Sequence, residues 1–397
     1  MTVPLDAGSK EELSEAQCSL ARALAPKLRE RAARCELAGK VPDETIEDFI
    51  ASGLFRATHP NGALDWDIVC EVLHILASAC GSQAWIYWVF VNHAQMISSF
   101  SAEARGEVLG ATGSYQLISA SIEPVGRAKP VEGGVIYSGQ HKFASGIDHA
   151  SWLIGGGFID RDGVRDGPFL FLLPKSAVVI KDDWNTLGLE GTGSKSFEVT
   201  EVFVPQHRFV RMLGAGGDLE VVPGGSPVRS LPRGEGITSA GFAALAVGMA
   251  KGVLEEWLDY TRTRKVRGLA IAEQQATHVL AAQASAEIDA AEALYLTYLR
   301  GISKKAANGE SILESERTTS KRNVAFACQL ALQAGTRLFN SAGARALFKD
   351  SPLQRHYRNL LAATAHFAVA WNGAAVDYGS AALATASRGE AARKKPI

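Results

Sequence analysis

Gly188-Leu-Glu-Gly-Thr-Gly-Ser-Lys-Ser-Phe-Glu-Val-Thr-Glu-Val-Phe-Val-Pro205 is a glycine- and hydroxyl-rich turn that runs straight into an alternating segment. Phe197 to Val204 alternates apolar and polar residues, the pattern of a strand with one face buried. The turn before it has the look of a phosphate-binding P-loop. Its lysine is one place out, however, and a strand follows where a P-loop needs a helix N-terminus. The stretch therefore reads as part of a β domain. Further short runs lie between Gly, Pro and Asp: Gly134 to Gln140, Trp152 to Phe158, Leu170 to Leu173 and Ala177 to Ile180. Together they predict a middle β-barrel or sandwich domain over 117–212.

On both sides the pattern turns helical. Leu13, Cys18, Leu20, Leu24 and Leu28 recur at helical spacing among charged residues. Val41-Pro-Asp-Glu44 reads as a helix start, Asp67 to Ser82 as a helix, and Ala84 to Phe100 as an apolar helix interrupted by Asn92-His93. Residues 1–116 are expected to form an N-terminal helical domain. Residues 213–235 are rich in Gly and Pro and read as a linker or lid. Residues 236–397 are expected to form a four-helix bundle from Ala243–Arg262, Ala272–Arg300, Glu314–Ser341 and Leu353–Ala384. The class is α+β, mostly α.

The bulk numbers narrow the function. Formal net charge is −1 with no basic block, which excludes a nucleic-acid surface. Five cysteines without CxxC spacing argue against a disulfide framework or a zinc site, and no metal is expected. The N-terminal residues are acidic and polar, not a leader, and no apolar run approaches the ~20 residues a membrane span needs. A cytoplasmic protein without a membrane partner is expected. No GxGxxG follows a strand, so a Rossmann nicotinamide site is not indicated.

Between two strand-like runs lies His141-Lys-Phe-Ala-Ser-Gly-Ile-Asp-His-Ala-Ser-Trp152. A plain turn rarely carries a hydroxyl, a carboxylate and two imidazoles together. Three stretches then carry a resemblance, in the right order over nearly the whole chain: Gly188 to Pro205, Arg264-Lys-Val-Arg-Gly268 with Gln274 or Gln275 downstream, and Pro352-Leu-Gln-Arg-His-Tyr-Arg358. They resemble the acyl-CoA dehydrogenase fold. Arg267 stands where that fold usually has an aromatic residue. The dehydrogenases themselves use a catalytic glutamate. Its expected place falls at His366-Phe367, and the alternative place near Thr238 has only Glu235 nearby. With Phe143-Ala-Ser-Gly-Ile-Asp-His149, His93 on the early apolar helix and His366 near the C-terminus, the chain is more similar to the oxygenase components of two-component flavin-dependent monooxygenases, such as hydroxyphenylacetate, phenol-type, indole and steroid-ring hydroxylases.

The resemblance implies hydroxylation of an aromatic or heteroaromatic ring, phenol- or indole-like, by reduced flavin and O2 through a flavin C4a-hydroperoxide. FMNH2 or FADH2 would come from a separate reductase. Ser145 would meet flavin N5, His93 the substrate's phenol or indole N–H, and His366 the reacting oxygen. Ser121, Trp85 and Trp88 would bind substrate. Phe143, Ser145, Thr192, Arg264, Ser341, Gly343, Gln354 and Arg355 would bind flavin, Arg264 through its phosphate. His149 and Asp148 would orient the loop. Such sites often borrow groups from a neighbouring subunit, which implies a homotetramer. The alternatives are oxygenation of nitrogen or sulfur on the same fold, and an acyl-CoA dehydrogenase using Glu235. Plainer readings also exist for each residue: a turn serine, core histidines and core aromatics.

Overall fold

The computed structural model describes residues 10–55, 66–109, 116–213, 218–220, 237–308 and 310–393. Most of the 213–235 segment, Glu235 included, lies outside them. Among the described residues the chain opens with helices α1 (Lys10–Ala38), α2 (Asp43–Ser52), α3 (Trp66–Ala79), α4 (Gly81–Ile97) and α5 (Ala102–Leu109). Strands follow: β1 (Ile118–Val131), β2 (Gly134–Ala144), β3 (Trp152–Arg161), β4 (Val164–Pro174), β5 (Val179–Lys181), β6 (Lys195–Pro205), β7 (Phe209–Leu213) and β8 (Asp218–Leu219). Helices return as α6 (Ile237–Thr263), α7 (Gln275–Ala307), α8 (Glu314–Ala342), α9 (Pro352–Thr364) and α10 (Trp371–Arg393), with a two-strand ribbon, β9 (Lys265–Val266) and β10 (Leu269–Ala270), after α6. No described helix is long and apolar enough to cross a membrane. The chain divides into two compact units, residues 1–64 with 82–234, and residues 65–81 with 235–397.

In the first unit the strands form one sheet in the order β5-β6-β2-β1-β3-β4-β7-β8. The β1–β3 pair is parallel and its neighbours are antiparallel. Around β3 and β4 the sheet is buried on both faces, which explains the unbroken apolar run at 169–173. Phe169, Phe171 and Leu173 point into one cluster with Tyr137, Phe197 and Val199. Leu170 and Leu172 point the other way, into a second cluster with Ile97 and Phe100 of the α4 end and Ala104 and Val108 of α5.

In the second unit α3 packs against α6 closely enough that a Cβ on Gly248 would lie 2.7 Å from Ala77 Cβ. Small residues on α6 thus let two backbones approach. The C-terminal reading needs one correction. The predicted helix 353–384 is two helices, α9 and α10, broken by a turn at 365–370. Thr364 Oγ1 donates back to the Leu360 and Leu361 carbonyls, and His366 adopts an extended backbone (φ −66°, ψ 136°). Neither glycine nor proline marks this break, so periodicity ran through it.

Candidate functional site

Each unit carries one cluster of the expected residues. In the first unit the cluster begins where β2 ends. The β2–β6 register shifts between His141 and Ala144, and Phe143 takes a left-handed φ of +62°. That conformation costs a bulky residue roughly 1–3 kcal/mol, and such strain concentrates at functional sites. Its effect is to turn the Phe143 ring outward, 66% exposed, edge-on to Trp184 at 6.0 Å between centroids. Gly146 follows at φ +71°, where a Cβ would meet the Phe90 ring at 2.9 Å. Only glycine serves there.

Ser145 is buried, and its hydroxyl joins the two glycine-rich turns. Trp85 Nε1–H donates to Ser145 Oγ at 3.2 Å. Ser145 Oγ lies 2.6 Å from Ser194 Oγ, which lies 2.6 Å from Thr192 Oγ1. Thr192 Oγ1 donates to the Leu189 carbonyl at 2.7 Å. Gly146 N–H donates to Thr192 O, and Ser119 Oγ donates to Ser145 O. Outside this hydroxyl chain, Lys195 pairs with Asp148 at 3.0 Å and with Asp182 at 3.1 Å. Lys175 Nζ donates to the Asp148 carbonyl, and His149 Nε2–H donates to the Val41 carbonyl. Burial, opposed by the Val41 bond, lowers the His149 pKa. Asp148 Oδ1 and His149 Nε2 are thus engaged by protein groups, while Asp148 Oδ2 is buried without a hydrogen-bond partner among the described residues.

His93 is buried on α4, and its Nδ1–H donates to the Ile118 carbonyl of β1 at 2.9 Å. That bond puts a hydrogen on Nδ1, so Nε2 carries the lone pair whenever the ring is uncharged. Ser121, also buried, sits three residues along β1 opposite Gly155 of β3. Trp88 is fully buried.

In the second unit Arg264 follows α6 and reaches the end of α8. Its Nη1 donates to the Ser341 carbonyl at 2.9 Å. A Cβ on Gly343 would lie 2.7 Å from Arg264 Nη2, and Gly343 has φ +76°. Trp257 Nε1–H donates to Ser341 Oγ. The guanidinium is thus cradled on the 341–343 turn, with its remaining donors available to an oxyanion. Gln354 is buried, its amide donating to the Lys349 and Ser351 carbonyls and its oxygen accepting from Arg358. Arg355 is half-buried one position on.

His366 stacks on Phe242 at 4.3 Å between centroids, and burial pushes its pKa down to about 4. Its Nδ1 accepts from Ala368 N–H at 3.2 Å, so the neutral ring carries its hydrogen on Nε2. In the uncharged form the two candidate histidines thus differ in tautomer, with the hydrogen on Nδ1 at His93 and on Nε2 at His366.

Sequence reading missed Ser194, Ser119 and Trp184. Ser194 lay in plain view in the Gly-Thr-Gly-Ser run, but only the register of β6 against β2 brings it to Ser145. Trp85 was expected at a substrate, and its indole N–H is bonded to Ser145.

Residues 240–371 match the acyl-CoA dehydrogenase C-terminal domain family. The chain is 33% identical over 377 residues to the flavin-dependent monooxygenase oxygenase subunit HsaA of Rhodococcus jostii (strain RHA1), covering 90% of this chain and 96% of that one. It is 28% identical over 357 residues to the p-hydroxyphenylacetate 3-hydroxylase oxygenase component of Acinetobacter baumannii, covering 86% and 82%. Its fold superposes on the crystal structure of the HsaA monooxygenase from M. tuberculosis with a TM-score of 0.85, at 30% identity, over 94% of this chain and 97% of that one. The chain therefore belongs to the flavin-dependent monooxygenase oxygenase subunits, enzymes built on the acyl-CoA dehydrogenase fold.

Proposed function

We propose that this chain takes reduced flavin, FMNH2 or FADH2, from a separate reductase and uses O2 to hydroxylate a small phenol- or indole-like ring. The observation that carries this reading is the first-unit cluster: a strained, outward-turned Phe143 beside a buried hydroxyl chain that ends on Ser145. A flavin ring needs an apolar face against its plane and polar atoms at its edge, and these residues fit it. When bound, reduced flavin supplies the electrons that activate O2.

The chain's own residues do the rest. Phe143 would cover the ring face, while Ser145 and Thr192 would line its N5 edge. Arg264, held by Ser341 and Gly343, would bind phosphate, with Arg355 and the backbone of the α9 N-terminus in support, the Gln354 side chain bracing that terminus through the Lys349 and Ser351 carbonyls. His93 Nε2 would accept the phenol or indole hydrogen and draw electron density toward the ring. Ser121 would hold the polar end of the substrate, with Trp85 and Trp88 as its wall. His366 would offer Nε2–H to the reacting oxygen as a neutral donor. Domains 1–116, 117–212 and 236–397, joined through 213–235, would assemble as a homotetramer. Five buried free cysteines suit a reducing cytoplasm.

The test supplies the purified chain with a generic flavin reductase, nicotinamide and a panel of small phenols and indoles. Hydroxylated product formed in step with nicotinamide consumption is expected. Absence of product together with failure to retain either reduced flavin would refute the reading.

A further inference from the structure

The hydrogen bonds through Ser145 run in series, and their direction is set by what the two ends can do. At one end Trp85 Nε1–H can only donate, and it reaches Ser145 Oγ at 3.2 Å. At the other end the Leu189 carbonyl can only accept, and Thr192 Oγ1 lies 2.7 Å away. Oxygens that close need a proton between them, so the single hydroxyl proton of Thr192 is spent there. The 2.6 Å gap between Thr192 and Ser194 must then hold the proton of Ser194. By the same step the 2.6 Å gap between Ser194 and Ser145 holds the proton of Ser145. All three hydroxyl residues are buried, so water does not set the order. Ser145 is left with no proton to give and one lone pair beyond the Trp85 bond.

We propose that Thr192 and Ser194 are positioning residues that lock Ser145 as a hydrogen-bond acceptor, so that the site selects reduced flavin over oxidised flavin. This rests on the reading that Ser145 meets flavin N5. N5 of reduced flavin carries a hydrogen and donates. N5 of oxidised flavin carries a lone pair and accepts. An acceptor serine pairs with the first and sets lone pair against lone pair in the second. A buried polar mismatch of this kind is worth about tenfold in affinity, or about 1.4 kcal/mol. The selectivity suits an enzyme whose cofactor arrives by diffusion, because the spent form must not hold the site.

The experiment measures dissociation constants for oxidised flavin in air and reduced flavin under anaerobic conditions, with FMN and FAD, and takes their ratio. Thr192→Val keeps the volume but removes the hydroxyl that anchors the order. Ser194 can then donate to Ser145, which frees the Ser145 proton for oxidised N5. The ratio should shrink about tenfold, chiefly by tighter binding of oxidised flavin. Thr192→Ser should keep the ratio within about twofold, since the hydroxyl remains. Ser194→Ala cuts the chain in its middle and should act like Thr192→Val, which covers failure of that variant to fold. Trp85→Phe leaves the order set from the Leu189 end and should not move the ratio. An unchanged ratio in Thr192→Val or Ser194→Ala, or an equal loss in Trp85→Phe, overturns the proposal. Equal affinity of the unmodified enzyme for both forms overturns it while leaving the flavin reading in place. Binding of neither form removes both.

Discussion

At the residue scale the two candidate histidines should fail differently. In the proposed role of His93 as acceptor of the substrate hydrogen, His93→Ala should lower kcat/KM for a phenol by roughly 10²- to 10⁴-fold, the usual loss when a positioned base is removed. Reduced-flavin binding should persist, and a parallel fall in flavin affinity would move His93 to the cofactor side. Acid acts elsewhere. His141 is buried in the sheet core. Its Nε2–H donates to Tyr137 Oη at 2.7 Å, while Tyr137 donates to the Gly156 carbonyl. Its Nδ1 has no partner among the described residues, and burial lowers its pKa to about 4. The unfolded chain, with a pKa near ~6.5, binds protons that the folded one refuses. Stability contributed by the neutral ring is therefore present above about pH 6.5 and lost as pH falls from there toward about 4. His366 adds in the same direction. The thermal midpoint should fall across that window, and His141→Leu should flatten the fall. An identical pH slope in His141→Leu would show that other groups set it. The residues of this core were visible in sequence, but their partners were not. Tyr137 and His141 look like ordinary strand residues until β3 brings Gly156 beside them.

Among elements, the long helices were legible because their apolar spacing runs for many turns. The break between α9 and α10 was not, because alanines continue through it and the stop comes from hydrogen bonds of Thr364 and His366. The parallel β1–β3 pair was equally hidden, since β2 intervenes in the chain and local pattern does not choose partners. The 341–343 turn was read as approaching the flavin, yet its packing against Arg264 came only from the fold. Gly343→Ala tests it. The substitution places a methyl where the guanidinium lies and forces alanine to a φ of +76°. Displaced from the Ser341 carbonyl, Arg264 should bind flavin phosphate about tenfold more weakly, with helix content intact by circular dichroism. Unaltered affinity for both FMN and FAD would remove Arg264 from the phosphate site.

On the scale of the whole molecule, the fold was readable because three motifs, each moderately specific alone, stood in one order along the chain. Assembly state left no such mark. On α10, Val376 and Leu383 are 65% and 73% exposed and lie seven residues apart, on one face of the helix. Phe367, just before α10, is 77% exposed. Exposed apolar side chains that gather into larger patches mark contact surfaces. In the proposed homotetramer these side chains would lie at a contact between copies. Light scattering on the eluted protein should therefore give the mass of four chains. Val376→Asp with Leu383→Asp places two charges on that face and should reduce the mass, because an unpaired carboxylate is costly to bury. The same variant separates two origins of the flavin site. If neighbouring chains lend groups to it, flavin affinity falls with the assembly; if one chain suffices, affinity survives dissociation. A native protein with the mass of one chain would refute the tetramer and leave the α10 face without this explanation.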